Sequence, residues 1–321
     1  MSLERLTDSL MSDYIKRGKK PGNKLYLLIP IAIVIALILG GTYYYRFMMT
    51  EYDFSQRLSS LDIDAQIVPL AKDLALPSDD EVNAGDISAQ AAIIAKDDGS
   101  LLASKAATTK MYPASTTKVM TALLALKYGN LSDEVTVPEE SVINEAGASL
   151  AGIHPGDKLT LDELLYGLML PSGNDVKMMN DEAKRIGAVD TNFVNANGLS
   201  NDKHYTTAYD LYLILHEAMK DSRFVNYAGA ASYNVTYTAA DGSQVTKNWR
   251  NGNRYLTGQE VAPSGVKVDA GKTGTTFAAG SCLVLASEGA DGKRYISVVL
   301  KAQNKAGLYD NMSKLLLKID K

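Results

Sequence analysis

Ser115 and Lys118 are the first two side chains of the chain whose types and spacing could act together chemically. On a helix, residues three apart share a face, so the amine can reach the hydroxyl. Serine is a weak nucleophile until a base takes its proton, and a lysine can be that base where burial or a cationic neighbour lowers its pKa. The pair therefore predicts a serine nucleophile with a lysine base, although a capping serine beside a solvated lysine also produces this spacing by chance.

Two further groups support the chemical interpretation. Residues 172–174 read SGN and follow LMLP, so they lie where a helix breaks into a loop, and residues 272–274 read KTG at the end of a predicted strand. Serine, lysine, asparagine and a glycine that lets the backbone approach a ligand are the parts needed for acyl transfer without histidine. Their order along the chain is SxxK, SxN, KTG.

The elements that must position these motifs can be predicted from hydrophobic spacing and turn signals. A hairpin is expected first, then helices, then three strands and a closing helix. The predicted bounds are 89–95 and 101–103 for the hairpin, a helix after Pro113, helical spacing at 167–185 and 208–218, strands at 266–274, 281–287 and 294–301, and a helix at 306–319. This order predicts an α+β domain with one antiparallel β-sheet flanked by helices.

Composition limits the function classes that remain. The chain has 321 residues, 33 Lys+Arg, 37 Asp+Glu and a net charge of -4, which argues against a nucleic-acid-binding protein. One cysteine excludes an internal disulfide and every zinc site that needs two thiolates.

The N-terminal region predicts a membrane anchor. Residues 25–45 are 21 consecutive uncharged residues, which as a helix span about 31 Å, close to the hydrocarbon thickness of a bilayer. Residues 1–24 hold six basic and three acidic side chains, so the positive-inside rule places them in the cytoplasm. A cleavable signal peptide is the alternative, but the apolar run is longer than usual for one. Residues 46–86 are polar and acidic and are expected to form an extracytoplasmic stalk, before a catalytic domain at 87–321.

The motif order is that of penicillin-binding proteins, and the chain resembles the low-molecular-weight members, which are serine-type D-alanyl-D-alanine carboxypeptidases of the β-lactamase/transpeptidase-like superfamily. The flanking segments YPASTTKVMTALLAL, LTLDELLYGLMLPSGND, NFVNANGLSNDKHYTTAYDL and DAGKTGTTFAAGSCLVLAS resemble the family in the same order. Class A β-lactamases have Asp in the middle of the second motif, where this chain has Gly173. They also place a Glu-x-x-x-Asn loop after that motif, whereas the only such match here, Glu140 to Asn144, precedes it.

The resemblance implies catalytic roles for three side chains. Ser115 would attack the carbonyl of the penultimate D-Ala of a peptidoglycan stem peptide, and Lys118 would be the general base. Ser172 would relay the proton to the leaving amine. The backbone N–H groups of Ser115 and Thr275 would form the oxyanion hole.

It also implies a substrate-binding set. Asn174 would bind the acyl chain, while Lys272 and Thr273 would hold the terminal carboxylate beside Gly274. Lys272 would help to keep Lys118 neutral by like-charge repulsion. The resemblance implies β-lactam antibiotics as covalent inhibitors and no cofactor or metal.

One departure from the family pattern follows the second motif. Only residues 175–178 lie between SGN and the segment beginning MNDEAKR, so roughly a dozen residues, about three helical turns, are missing. This change affects the seating of Ser172 and Asn174. A D,D-endopeptidase, a β-lactamase-like hydrolase and a catalytically impaired peptidoglycan-binding protein therefore remain alternatives.

The remaining reactive side chains are expected to be structural. His154, His204 and His216 have no short ligand spacing, and His204 lies in the family-like segment HYTTAYDL, where a packing and hydrogen-bonding role is expected. Cys282 lies in an apolar strand and is expected to be a small core residue.

Overall fold

The structure is a computed structural model that describes residues 82–139, 151–167 and 175–319. These residues all fall within one compact unit of the chain, 66–321. The predicted cytoplasmic tail (1–24), the predicted membrane helix (25–45) and the predicted stalk up to residue 81 lie outside the described residues, as does the SGN motif at 172–174. Within the described ranges, no helix combines the length and apolar character that a membrane crossing requires.

A five-stranded antiparallel sheet forms the centre of the domain. Its strands in chain order are β1 (Ala91–Lys96), β2 (Leu101–Lys105), β7 (Lys267–Thr276), β8 (Gly280–Glu288) and β9 (Arg294–Ala302). Their spatial order is β2-β1-β9-β8-β7. β8 and β9 are buried on both faces, which is why they are almost continuously apolar rather than alternating. The predicted hairpin and the predicted three-strand meander are both confirmed.

Helices cover both faces of this sheet. Their bounds are α1 (Lys118–Tyr128), α2 (Leu161–Gly167), α3 (Asp175–Ile186), α4 (Ala208–Ala218), α5 (Ser222–Gly229) and α6 (Lys305–Leu316). The face that carries Ile93 and Val284 packs with α1 and α4. The opposite face, which carries Ile94 and Leu285, packs with α6. The predicted closing helix is therefore confirmed as a packing element, whereas α2 and α5 were not predicted.

A second sheet corrects the expectation of a single one. Its strands are β3 (Glu134–Thr136), β4 (Lys158–Thr160), β5 (Ser232–Thr238) and β6 (Gln244–Arg250), in that spatial order. Two of them have only three residues, too few for a periodic pattern. β5 and β6 bury one face on a small apolar cluster and expose the other, and the Asp241-Gly242 turn between them is the hairpin signal that was overlooked.

Candidate active site

Ser115 lies in a short 3-10 helix, Ala114–Thr117, that leads directly into α1. The residue before it, Ala114, has φ +49°, a left-handed conformation that is uncommon for a residue with a side chain. Gly198 packs against this turn with φ +89°, and a Cβ at Gly198 would lie 1.9 Å from the Ala114 carbonyl oxygen. The loop that carries Gly198 can pack this closely only because glycine has no side chain. It therefore supports the strained turn that presents Ser115.

Lys118 begins α1 and lies three residues after Ser115. Side chains at this separation eclipse one another in a 3-10 turn, and both residues line the same cleft. Lys118 is only 9% exposed, and burial lowers the pKa of its amine. Burial thus favours the neutral amine, the form that can accept a proton.

The KTG motif lies on β7, at the edge of the five-stranded sheet, and passes directly beside Ser115. A Cβ added to Gly274 would lie 2.7 Å from the Ser115 backbone nitrogen and 3.0 Å from the Thr116 nitrogen. A Cβ on Gly252 would lie 2.8 Å from the Thr273 hydroxyl oxygen. Only a residue without a side chain lets β7 pass this close to the turn, so Gly274 brings the first and third motifs into contact.

Lys272 and Lys118 influence one another. Burial, together with the charge of Lys118, lowers the pKa of Lys272 to about 7. Its ammonium donates a hydrogen bond to the Thr273 carbonyl oxygen at 2.9 Å. The repulsion expected between the two lysines therefore acts on Lys272, while burial is the cause that lowers the pKa of Lys118.

The two motifs line a cleft of about 920 Å³. Six basic residues border it, and no acidic residue does so among those the structure describes. The basic residues are Lys118, Lys247, Arg250, Arg254, Lys272 and Lys305. A chain with a net charge of -4 thus places a basic cleft at the motifs, which favours an anionic ligand.

The second motif cannot be placed beside the other two. Ser172 and Asn174 lie outside the described residues, as does Gly173. The residues Tyr166 and Gly167 at the end of α2 line the cleft, and α3 resumes at Asp175. The predicted site residues that the structure does bring together are Ser115, Lys118, Lys272, Thr273, Gly274 and Thr275.

Sequence reasoning missed the loop that forms one wall of the cleft. Asn197, Gly198 and Leu199 line it, and the Ser115 hydroxyl donates a long hydrogen bond of 3.5 Å to the Asn197 carbonyl oxygen. The Ser200 hydroxyl lies 2.8 Å from the Thr276 hydroxyl, which joins this loop to the end of β7. The Asn-Gly pair at 197–198 is a turn signal, but nothing in a turn signal shows which element the turn will contact.

His204 and Cys282 are structural, as the sequence predicted. His204 Nε2 lies 2.9 Å from the Thr117 hydroxyl, and its Nδ1 accepts a hydrogen bond from the Val194 N–H. Burial lowers the pKa of His204 to about 4, so the ring is neutral at pH 7. Cys282 is fully buried, and burial raises the pKa of its thiol to about 11.

Comparisons with known proteins agree with this geometry. The family model Peptidase S11, described as D-alanyl-D-alanine carboxypeptidase, matches residues 78–176 and 175–304. The two matched pieces meet at residues 175–176, directly behind the SGN motif, where the sequence indicates missing residues.

Curated relatives carry the same description. D-alanyl-D-alanine carboxypeptidase DacF of Bacillus subtilis is 32% identical over 70% of this chain, which spans 60% of the length of DacF. The D-alanyl-D-alanine carboxypeptidase of Streptomyces sp. K15 is 31% identical over 68% of the chain and 82% of the relative. The crystal structure of the Streptomyces K15 DD-transpeptidase superposes with a TM-score of 0.66 at 30% identity, covering 74% of this chain and 98% of that one.

Proposed function

The chain belongs to the D-alanyl-D-alanine carboxypeptidase family, Peptidase S11, and from that premise we propose that it removes the terminal D-Ala of peptidoglycan stem peptides through an acyl-enzyme on Ser115. The observation that carries the proposal is the contact between the first and third motifs. A Cβ at Gly274 would lie 2.7 Å from the Ser115 nitrogen, with buried Lys118 three residues further on. Ser115 is the proposed nucleophile and Lys118 the proposed base, and Gly274 belongs to the KTG motif that carries the proposed carboxylate anchor.

In the proposed reaction, the Ser115 hydroxyl oxygen attacks the carbonyl carbon of the penultimate D-Ala while the neutral Lys118 amine takes its proton. The backbone N–H groups of Ser115 and Thr275 hold the resulting oxyanion. The tetrahedral intermediate collapses as the C–N bond breaks, and the departing amine of the terminal D-Ala receives the proton, relayed by Ser172. Water then hydrolyses the ester. Asn174 is proposed to bind the acyl chain during both steps.

Lys272 and Thr273 are proposed to bind the terminal carboxylate of the substrate. With a pKa of about 7, Lys272 is only partly charged at neutral pH. An arriving carboxylate favours the ammonium form and so raises that pKa. The basic lining of the cleft supports a substrate that ends in a carboxylate. The same cleft is the proposed site of covalent β-lactam binding.

We also propose that the enzyme is attached to the cell membrane. The uncharged run at 25–45 and the basic excess of residues 1–24 support a single-pass anchor with a cytoplasmic N-terminus. Residues 46–86 would connect that anchor to an extracytoplasmic catalytic domain at 87–321.

The fate of the acyl-enzyme defines the second candidate function. The solved Streptomyces K15 structures are described as a DD-transpeptidase, and the curated K15 relative as a carboxypeptidase. Both reactions share the ester on serine and differ in whether water or an amine accepts the acyl group. Product analysis on cross-linked muropeptides and on a cephalosporin separates these two from an endopeptidase and a β-lactamase-like hydrolase.

The test replaces the nucleophile. Ser115→Ala is expected to lose covalent labelling by a fluorescent penicillin and to lower D-Ala release from a D-Ala-D-Ala peptide by about a thousandfold or more. Ser232→Ala is the matched control, because Ser232 lines the same cleft on β5 and has no role in the proposed chemistry. A wild-type protein that takes no label contradicts the proposal. A labelled protein that releases no D-Ala supports the impaired alternative, which the two-piece family match at 175–176 keeps open.

A further inference from the structure

His204 is buried against the turn that carries Ser115. It is 1% exposed, does not line the cleft and takes no part in the chemical steps proposed above. Its ring nevertheless bonds to two different elements. Nε2 lies 2.9 Å from the hydroxyl of Thr117, two residues after Ser115, and Nδ1 lies 3.1 Å from the backbone nitrogen of Val194. A single side chain thus joins the Ser115 turn to the segment that leads into the cleft wall.

The direction of the two hydrogen bonds follows from the protonation state of the ring. A backbone N–H can only donate, so Nδ1 carries no proton. Burial lowers the pKa of His204 to about 4, so the ring is neutral and its one proton is on Nε2. His204 therefore donates to the Thr117 hydroxyl and accepts from the Val194 N–H. Only a side chain with both a donor and an acceptor can make both bonds, which is a stricter requirement than packing alone.

Thr117 connects this bond directly to the nucleophile. It is the last residue of the 3-10 helix Ala114–Thr117, and the chain continues into α1 at Lys118. Although Thr117 occupies the N-cap position of α1, its hydroxyl makes no capping bond there. Threonine at that position usually caps the helix, so the bond to His204 replaces an ordinary local use of the hydroxyl. Ser115 and Lys118 are thus presented by the same turn that His204 fixes.

The other side of the ring fixes the wall loop, residues 193–199. Phe193 packs edge-to-face on His204, with the two ring centroids 5.7 Å apart. Further along the loop, the Thr121 hydroxyl of α1 donates a hydrogen bond of 2.7 Å to the Ala196 carbonyl oxygen. The wall loop is therefore held at its start by His204 and in its middle by α1, before it reaches the nucleophile.

This double attachment sets the distance from the Ser115 hydroxyl to the Asn197 carbonyl oxygen. At 3.5 Å the distance is at the outer limit of a hydrogen bond, so the bond is weak and the Ser115 proton stays available to Lys118. A shift of the wall loop by about 0.7 Å would shorten it to an ordinary bond of about 2.8 Å. The proton would then be held by a carbonyl oxygen, which is not a base.

We propose that His204 is a positioning residue for the nucleophile. By bonding to Thr117 and Val194 together, it holds the Ser115 turn and the wall loop at a fixed spacing. That spacing leaves the Ser115 hydroxyl to the Lys118 amine. This inference rests on the proposed function and adds to it a residue outside the three motifs. Neither bond of the ring goes to the proposed carboxylate anchors on β7, so the step that depends on His204 is acylation and not substrate binding.

The first test measures the rate of covalent labelling by a fluorescent penicillin. His204→Leu makes neither bond, so the saturating rate of acylation is expected to fall about tenfold to a hundredfold, while the half-saturating concentration changes less than about threefold. His204→Gln has a donor and an acceptor and is expected to be faster than His204→Leu. Rates are counted per labelled site, so a misfolded fraction lowers the amplitude and not the rate.

The second test asks whether His204 acts through Thr117. Thr117→Val keeps the shape of the side chain and removes the hydroxyl, so it is expected to slow acylation about tenfold by itself. Combined with His204→Leu, it is expected to add less than about twofold, because both changes remove the same bond. Thr117→Val also keeps the test decisive if His204→Leu does not fold.

His216→Leu is the matched control. His216 lies on α4, its Nε2 lies 3.0 Å from the Asp97 carbonyl oxygen, and it does not line the cleft. Its replacement is expected to change the acylation rate by less than about twofold.

Full-rate acylation by Thr117→Val, or losses that multiply in the double variant, would refute the positioning role and leave the proposed function in place. A raised half-saturating concentration with an unchanged saturating rate would do the same, because His204 would then act on binding. A wild-type protein that neither takes the label nor releases D-Ala overturns the proposed function and the positioning role with it.

Discussion

At the scale of single residues, the candidate site depends on two lysines that share one cleft, Lys118 buried and Lys272 half-buried. Burial lowers the pKa of Lys118, and burial with the Lys118 charge lowers that of Lys272 to about 7. Among the described residues that line the cleft, none is acidic, so no carboxylate there raises the pKa of either lysine. The proposed chemistry needs Lys118 neutral and Lys272 charged. Burial favours the neutral form of both amines, so the charge on Lys272 depends on a pH below about 7 or on a bound substrate carboxylate.

The pH dependence of kcat/KM is expected to follow the pKa of Lys272. Lys272 is charged below about pH 7 and loses its proton above it, so carboxylate binding and kcat/KM are expected to fall as the pH rises through that value. Lys272→Arg keeps the positive charge at every accessible pH, so the falling limb is expected to move to higher pH, although the activity at the optimum is lower. A pH series of D-Ala release for both proteins provides the measurement. An identical falling limb in the two proteins contradicts the assignment to Lys272.

At the scale of secondary-structure elements, an ionic network determines where α3 lies. Glu182 of α3 is buried, with its carboxylate 3.0 Å from the Lys127 ammonium of α1 and 2.7 Å from Arg185. Arg185 in turn lies 2.5 Å from Glu217 of α4. Burial acts to raise the pKa of Glu182, but the hydrogen bonds from Arg185 and Lys127 outweigh it and hold that pKa below its usual value. Because α3 begins at Asp175, this network also positions the chain that leaves the SGN motif.

Breaking the network is expected to destabilise the fold. Glu182→Gln removes the charge that two cations share, at a cost of about 2–3 kcal/mol in the free energy of unfolding at pH 7. A lowered pKa in the folded state means that the contribution is present above the unfolded pKa near 4.5 and is lost as the pH falls below it. Urea unfolding at pH 7 and at pH 3.5 therefore provides the measurement, and the difference between variant and wild type should shrink at the lower pH.

Lys267→Gln provides the control for this experiment. The Lys267–Asp269 pair has a distance of 2.8 Å, but Lys267 is 77% exposed, so its loss is expected to cost much less stability than the loss of the Glu182 charge. Equal losses for Glu182→Gln and Lys267→Gln would mean that the network is only a surface feature.

At the scale of the whole described domain, the N-terminal and C-terminal elements of the described residues pack against each other. β1 pairs with β9, and Asn311 of α6 accepts hydrogen bonds from the backbone N–H groups of Ser88 and Ala89. The Asn311 amide also donates to the Gly307 carbonyl oxygen. β7 is an edge strand of the five-stranded sheet, so one side of the strand that carries the KTG motif is free to face a ligand.

Asn311→Ala tests this closure. It leaves the backbone N–H groups of Ser88 and buried Ala89 without their acceptor and is expected to lower the free energy of unfolding by about 1–3 kcal/mol. Below the melting temperature, penicillin labelling of Ser115 should be retained, because the hydrogen bonds of Asn311 go to Ser88, Ala89 and Gly307 and none goes to β7. Asn248→Ala, at an exposed position of β6, is expected to cost less than about 0.5 kcal/mol. A melting temperature equal to that of wild type would show that the hydrogen bonds from Asn311 to residues 88 and 89 do not stabilise the domain.

The elements that sequence reasoning predicted correctly are those with strong local signals. β8 and β9 are long apolar runs bounded by Gly-containing turns, and α4 and α6 carry capping residues before a helical apolar pattern. The second sheet was missed because β3 and β4 are three residues long and become strands only through their pairing. The cleft-lining role of residues 197–199 was missed because it depends on their contact with the Ser115 turn, which a turn signal in the sequence does not show.

The sequence by itself determined the chemical groups, namely a serine, two lysines and a glycine in an ordered set of motifs, because covalent identity and spacing are local properties. Only the tertiary structure decided that β7 passes beside the Ser115 turn, with Gly274 and Gly198 as the residues that allow the approach. It also decided that the pKa values of Lys118 and Lys272 lie below that of a free lysine. A pKa depends on burial and on neighbouring charges, and both are created only when distant parts of the chain pack together.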